Sequence, residues 1–250
     1  MMMKCRTITL FLSLKDRDSR EWAGLLDEAA SFLVRAKEAV EECKVDVQTL
    51  RISTNLLSAE RPNLLEDLVQ LERHCLSRDI RFLNAGRATA ATRHLVPELL
   101  RLTTVVSASI ELPEGLEPAE AEAVAGIVLD TADATADGAG NFRLAASAAC
   151  DDTAIPYFPA SHCAGSDMDR GFALGLENSG LLHRAFSTAN GSLRQATENL
   201  RTLTAAAAAP LCAAMASIGR GSGFSFLGID TSIAPALEGP SIAGASPPRS

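Results

Sequence analysis

Apolar and polar positions change period along the chain, alternating in twos over some stretches and recurring every three or four residues over others. Arg6–Leu14 (RTITLFLSL) is a short β-branched and apolar run that reads as a strand. Asp18 then offers a helix N-cap, and Glu21 three residues later completes a capping box. Trp22, Leu25, Leu26, Ala29, Leu33, Ala36 and Val40 follow at helical spacing. Val45–Ser53 alternates as a strand, and Pro62 suits the first turn of a helix striped by Leu64, Leu68, Leu71 and Cys75. A short strand over Ile80–Leu83 comes next, then a helix around Pro97 with Leu95, Leu99 and Leu102 facing inward. Val105–Leu112 predicts a fourth strand, and Pro118 starts a helix running to about Ala136. Asn141–Ala149 and Phe172–Leu176 read as strands five and six. A long helical region over Leu181–Gly219 carries Leu193, Leu200, Leu203, Leu211 and Met215, and Phe224–Ile229 is the last strand.

Repeated strand–helix–strand units imply an α/β fold with mainly parallel strands, and a barrel or a doubly wound sheet fits equally well. Residues 1–235 read as one domain. Residues 236–250 carry Gly239, Pro240, Gly244, Pro247 and Pro248 without periodicity and read as an irregular or disordered tail.

Composition narrows the partners. Of 250 residues, 47% are apolar and only 4% aromatic, so Leu, Val, Ile and Ala fill the core and few rings remain for stacking bases or sugars. A net charge of −8 without a Lys/Arg cluster argues against nucleic acid and against anionic membrane. The six cysteines are widely spaced with no CxxC, which excludes a zinc knuckle or a thioredoxin-type motif. Cys5, Cys43, Cys75 and Cys212 read as reduced core residues. The amino-terminal run lacks a cleavage site, and the alanine-rich stretch Thr204–Ser217 is too short to span a bilayer. A protein of cytoplasmic type is expected.

The chemistry concentrates where strands stop. Strand ends carry Ser13 and Lys15; Arg51, Ser53, Thr54 and Asn55; Asn84, Gly86 and Arg87; Ser107, Ser109 and Glu111; Glu177 and Asn178; Asp230, Thr231 and Ser232. In a parallel sheet these ends share one rim and can surround one pocket, although each could equally cap a helix or begin a loop. Arg51, Ser53, Asn55, Asn84, Asn178, Asp230 and Ser232 are the candidate groups for binding a small polar or anionic ligand. Asn84-Ala85-Gly86 offers close backbone approach to such a ligand. Arg51 is an anion clamp or the partner of a carboxylate such as Asp230. His162 and Glu177 are the candidate acid and base; Glu177 ends the apolar run FALGLE, where burial would favour its protonated form, or is a carboxylate at a helix start. His162, Cys163, Asp167, Asp169 and Glu177 have the ligand types for a metal, but their spacing matches no established zinc signature, so no metal or cofactor is assigned. Cys163 beside His162 is no ready thiolate pair, since neighbours on an extended chain point apart. Gly219–Gly223 (GRGSG) lacks the Lys-Ser/Thr of a phosphate loop, and no GxSxG elbow occurs.

Five ordered motifs, RTIT from Arg6, TLRISTN over Thr49–Asn55, IPYFPASH over Ile155–His162, FALGLEN over Phe172–Asn178 and LGIDTSIAP over Leu227–Pro235, resemble those of the UPF0210 family, also called DUF711. The likeness covers the chain as far as Ala245. It implies a β/α barrel similar to that of the glycyl-radical enzymes related to pyruvate formate-lyase, without an established radical function, and it implies no activity. Two departures stand out. The family pattern has PAAYH where this chain has Pro159-Ala160-Ser161-His162, so a tyrosine is lost. Family members also continue beyond the SIA motif, whereas this chain has Ser241-Ile242-Ala243 and then GASPPRS. On that comparison it is a truncated, partial barrel with an exposed sheet edge, and a partner chain or a second copy is expected to complete it. Three functions compete: an enzyme using acid–base chemistry on a small metabolite, a small-molecule-binding regulatory protein, and a non-catalytic paralogue acting through protein contacts.

Overall fold

Strand alternation decides the architecture. In β1 (Lys4–Leu12), Ile8, Leu10 and Leu12 enter the main apolar core, while Thr7, Thr9 and Phe11 are buried on the other face. The computed structural model describes residues 3–113, 115–148, 156–163 and 170–231. Within them β1, β2 (Val47–Thr54), β3 (Leu83–Ala88), β4 (Val106–Leu112), β5 (Leu144–Ala148), β6 (Arg170–Glu177) and β7 (Ser225–Asp230) form a mostly parallel sheet that is not closed. Its order is β5-β4-β3-β2-β1-β6-β7. β1 to β5 run parallel, β6 is antiparallel to β1, and β7 is parallel to β6.

The helices line up in one row. α4 (Pro118–Ala134) packs on α3 (Val96–Leu102), α3 on α2 (Leu64–Leu76), α2 on α1 (Trp22–Glu42), α1 on α6 (Leu193–Gly219), and α6 on α5 (Ser179–Ser187). Their apolar stripes meet Ile52 of β2, Val106, Ala108 and Ile110 of β4, and Phe172, Leu174 and Leu176 of β6 in a continuous core. Trp22, Phe32 and Phe172 are fully buried there, with Phe32 edge-on to Phe172 at 4.8 Å. Each such side chain contributes roughly 1.5–3 kcal/mol by leaving water.

Between those core positions, the strands present Arg51, Ser53, Asn84, Ser107, Ser109, Ala173 and Gly175 to the opposite face, a small and polar surface. One strap of chain, Pro156–Cys163, crosses it. Thr9 Oγ1 donates to Pro156 O at 2.7 Å, Tyr157 Oη to Leu176 O at 2.8 Å, Asn84 Nδ2 to Pro159 O at 2.8 Å, and Cys163 N to Thr54 O at 3.3 Å. Gly175 makes room for it: a Cβ there would sit 2.7 Å from the Tyr157 ring and 2.8 Å from Thr7 Cγ2.

Several expectations need correction. β3 covers Leu83–Ala88 rather than Ile80–Leu83, because pairing with β2 and β4 makes a strand of Asn84-Ala85-Gly86-Arg87 despite its weak strand propensity. The long helix divides at Asn190 and Gly191, both with positive φ, and Ser192 caps α6 by accepting from Gln195 N. Leu102 and Leu193 are exposed and Cys212 is not a core residue, since each lies on a helix surface that no other element covers. α6 spans 27 residues, long and apolar enough to cross a bilayer by length and composition, although its partners are α1, α5 and β7. The 236–250 tail lies outside the described residues.

Burial sets the alkaline limit of stability. Desolvation pushes the Cys5 and Cys75 thiols up to about 12, and desolvation together with Asp230 raises the Tyr157 phenol to about 12. These groups keep their protons longer when folded than when unfolded. The stability they confer is complete below the unfolded thiol value of 9.0 and is lost as pH rises towards 12. Arg51, lowered to about 10, opposes this only above that pH. The urea midpoint is therefore expected to hold steady near neutrality and to fall above pH 9, less steeply when Cys5 and Cys75 are both alanine. Identical slopes in parent and double variant would refute the assignment.

Candidate functional site

The antiparallel course of β6 splits the polar strand ends between two rims. Lys4 pairs with Glu177 and Leu12 with Arg170, so Glu177 lies beside the start of β1. Asn55 follows the end of β2, which is level with the end of β1. Nine residue steps at about 3.3 Å place Glu177 roughly 30 Å from Asn55. Asn178 and Asp230 lie at the Glu177 end, Asp230 two steps back along the β6–β7 ladder, at Gly175. The expectation of one common rim is therefore corrected: Glu177, Asn178 and Asp230 do not meet His162, Asn55 and Asn84. Asn178 Nδ2 donates to Thr231 O, and Ser179 Oγ donates to Glu177 Oε1 at 3.3 Å. Ser232, Asp167 and Asp169 lie outside the described residues.

At the carboxyl ends of β1 to β4, the amides tie backbone together. Asn55 Oδ1 accepts from Leu14 N at 2.9 Å and Lys15 N at 3.1 Å, and its Nδ2 donates to Ser13 Oγ. Asn84 Oδ1 accepts from Gly86 N at 2.7 Å, while its Nδ2 donates to both Pro159 O and Ser107 Oγ. The close approach at Gly86 is made by the chain's own Thr54 and Asn55. Beyond them, Arg87 reaches the strap. Its Nη1 meets Glu111 Oε1 at 3.2 Å and its Nη2 lies 2.8 Å from His162 Nε2. The same Nη2 lies 3.4 Å from His162 Nδ1, which is itself 3.4 Å from Ala160 O. Ser53, Ser109 and Ser161 are fully buried, and their hydroxyls have no hydrogen-bond partner among the described residues.

A separate cavity of about 250 Å³ opens on the same face at the amino ends of β3 and β4. Arg51 forms part of its wall, held by Nε donating to Thr49 Oγ1 at 2.8 Å, with the Phe82 and Phe158 ring centroids 5.0 and 5.1 Å from its Cζ. No carboxylate, carbonyl or hydroxyl among the described residues accepts from its two terminal nitrogens. Burial, reinforced by the neighbouring Arg6 cation, lowers its pKa to about 10. The cavity's other two arginines are engaged: Arg81 with Asp79, and Arg143 with Thr103 Oγ1 and the Val106 and Leu100 carbonyls. Among the described residues, no acidic side chain lines the cavity.

Among the expected site residues, Ser53, Asn84, Arg51 and His162 thus share one face, with Arg51 alone on the cavity wall. Phe82, Phe158 and Arg143 do not stand out in the sequence, and Arg87 stands out only as a strand-end residue. Phe82 could have been found only from the β2–β3 register and Phe158 only from the path of the strap. Among the described residues no group of three or more His, Cys, Asp or Glu could hold a metal ion. A family model described as Uncharacterised ACR (DUF711) matches residues 1–246. No curated protein matches the chain.

Proposed function

The chain belongs to the DUF711 family, and we propose that it binds a small anionic metabolite on the open face of its sheet. One observation carries the reading: Arg51 is a partly desolvated cation on a cavity wall, with its terminal nitrogens lacking an acceptor among the described residues. A guanidinium in that position is satisfied by an anion offering two oxygens. The overall charge of −8 makes a local concentration of arginine without acidic lining more telling. Every ionisable residue among the described lining residues is an arginine, which suits the cavity to holding a ligand rather than to moving protons.

A melting-temperature screen of carboxylates, phosphates and neutral analogues tests this. At one hundred times Kd, binding adds about 2.7 kcal/mol, a rise of roughly 5–10 °C for a chain of this size. Arg51→Gln is expected to weaken binding at least about thirtyfold, as when one member of a desolvated charge pair is removed. Its unliganded stability should fall by about 1–3 kcal/mol, since two ring contacts and one hydrogen bond are lost. Glu177→Gln, outside the lining, leaves binding unchanged. A screen in which no anion raises the melting temperature sinks the proposal.

A second reading, acid–base catalysis, has its own support. Ser109 of β4 and Ser161 of the strap, whose hydroxyls have no partner among the described residues, lie on the same face as the Arg87–His162 pair. In an enzyme of this kind His162 would move the proton. His162→Gln would then remove turnover and leave the anion-dependent rise in melting temperature intact; loss of both together would count against a separate catalytic role.

A further inference from the structure

We infer that the anion is a single-ring, planar carboxylate, gripped by the terminal edge of Arg51 and seated among Phe82, Phe142 and Phe158. The inference rests on the anion-binding reading of the same cavity and narrows it in charge, size and shape.

Charge comes first. Arg51 Nε is occupied by Thr49, which leaves the Nη1–Nη2 edge, a fork spaced for the two oxygens of one carboxylate. A phosphate would bring further oxygens and up to two charges. The other arginines answer them poorly: Arg81 has its charge offset by Asp79 through Nε and its side chain is 73% exposed, and Arg143 is turned to Thr103 and to backbone carbonyls. One half-buried guanidinium without a carboxylate partner among the described residues matches one carboxylate.

Size comes next. The cavity measures about 250 Å³. A cavity of about 150 Å³ admits benzene, and sites for larger, drug-sized ligands begin near ~300 Å³. The space therefore takes one ring and its carboxylate.

Shape is set by the walls. Three of the chain's nine phenylalanines line this one cavity, in a protein where aromatics are 4% of residues. Phe142 is the most conspicuous, because its ring is 87% exposed at the rim. Large exposed aromatics that border a cavity mark a binding surface more often than an isolated exposed side chain does. An aromatic ligand ring would bury Phe142 and meet it edge-on or offset, which favours a flat ring over a puckered one by about three- to tenfold.

Titration calorimetry on the full chain with benzoate, cyclohexanecarboxylate, benzyl alcohol and inorganic phosphate separates the components. Benzoate is expected to bind about three- to tenfold more tightly than cyclohexanecarboxylate and more tightly than phosphate, and benzyl alcohol is expected not to bind measurably. Phe142→Ala, at an exposed position that leaves the core untouched, should bring benzoate down to the level of cyclohexanecarboxylate while both still require Arg51. Cyclohexanecarboxylate or phosphate binding as tightly as benzoate overturns the planar-carboxylate inference and leaves anion binding standing. Absence of binding by every anion tested removes both.

Discussion

Gly86→Ala is expected to destabilise the chain by about 3–4 kcal/mol, an effect set by backbone geometry. Gly86 has φ +102°, a conformation that L side chains rarely adopt. The added Cβ would also lie 2.7 Å from Thr54 O and 3.0 Å from Asn55 Cα, backbone atoms that cannot rotate aside. Relief would require β3 to move away from the end of β2, disturbing the Asn55 bonds to Leu14 and Lys15. At ~2–4 °C per kcal/mol the melting temperature should fall by roughly 6–15 °C. Gly24→Ala supplies the control. Gly24 lies in α1 with nothing within 4 Å of its added Cβ, so the same methyl group is expected to stabilise by about 0.5–1 kcal/mol. Equal effects at the two sites would show that the carboxyl rim is more yielding than its distances imply.

Asn84→Ala should cost about 3–5 kcal/mol, because it leaves several buried groups without partners together. Gly86 N loses its acceptor, and Pro159 O and Ser107 Oγ lose a donor, in a region where Asn84 itself is fully buried. Asn84→Asp separates the parts: it can still accept from Gly86 N but cannot donate to Pro159 O. The second readout is Cys163, buried beside Phe11 and Ala173 and hydrogen-bonded through its N–H to Thr54 O. Loosening the strap should speed thiol labelling at Cys163 beyond what the fall in global stability explains. A loss of stability below about 0.5 kcal/mol would mean that the Asn84 amide does not hold the strap, and its role as a ligand contact would return.

These two residues show how sequence and structure divide the information. Asn84-Ala85-Gly86 stands out in the sequence as a place for close backbone approach, and the approach is real. What comes close is Thr54–Asn55 of the neighbouring strand, a contact between residues about thirty positions apart that no local pattern encodes. Arg51 is visible as a charge inside an alternating strand. Its aromatic neighbours come from residue 82, through strand register, and from residue 158, through the strap. His162 and the strand-end residue Arg87 both stand out, but their meeting depends on the path of the strap, which no local pattern encodes.

Some of the architecture lay in the alternation itself. RTITLFL in β1 and VSASIEL in β4 place aliphatic residues at every second position, with Thr7, Thr9 and Phe11 or Ser107, Ser109 and Glu111 between them. That pattern fits a barrel or a doubly wound sheet equally well, and the packing of the described helices in one row is a tertiary result.

By itself the sequence determined the α/β class, most elements, the apolar face of each strand, and the family, because hydrophobic period and short motifs are local properties of the chain. Only the tertiary structure decided the direction of β6, and with it the separation of Glu177 and Asp230 from His162. An alternating strand buries the same side chains whichever way it runs, so its direction is fixed by its ladder with β1 and leaves no mark on its own pattern.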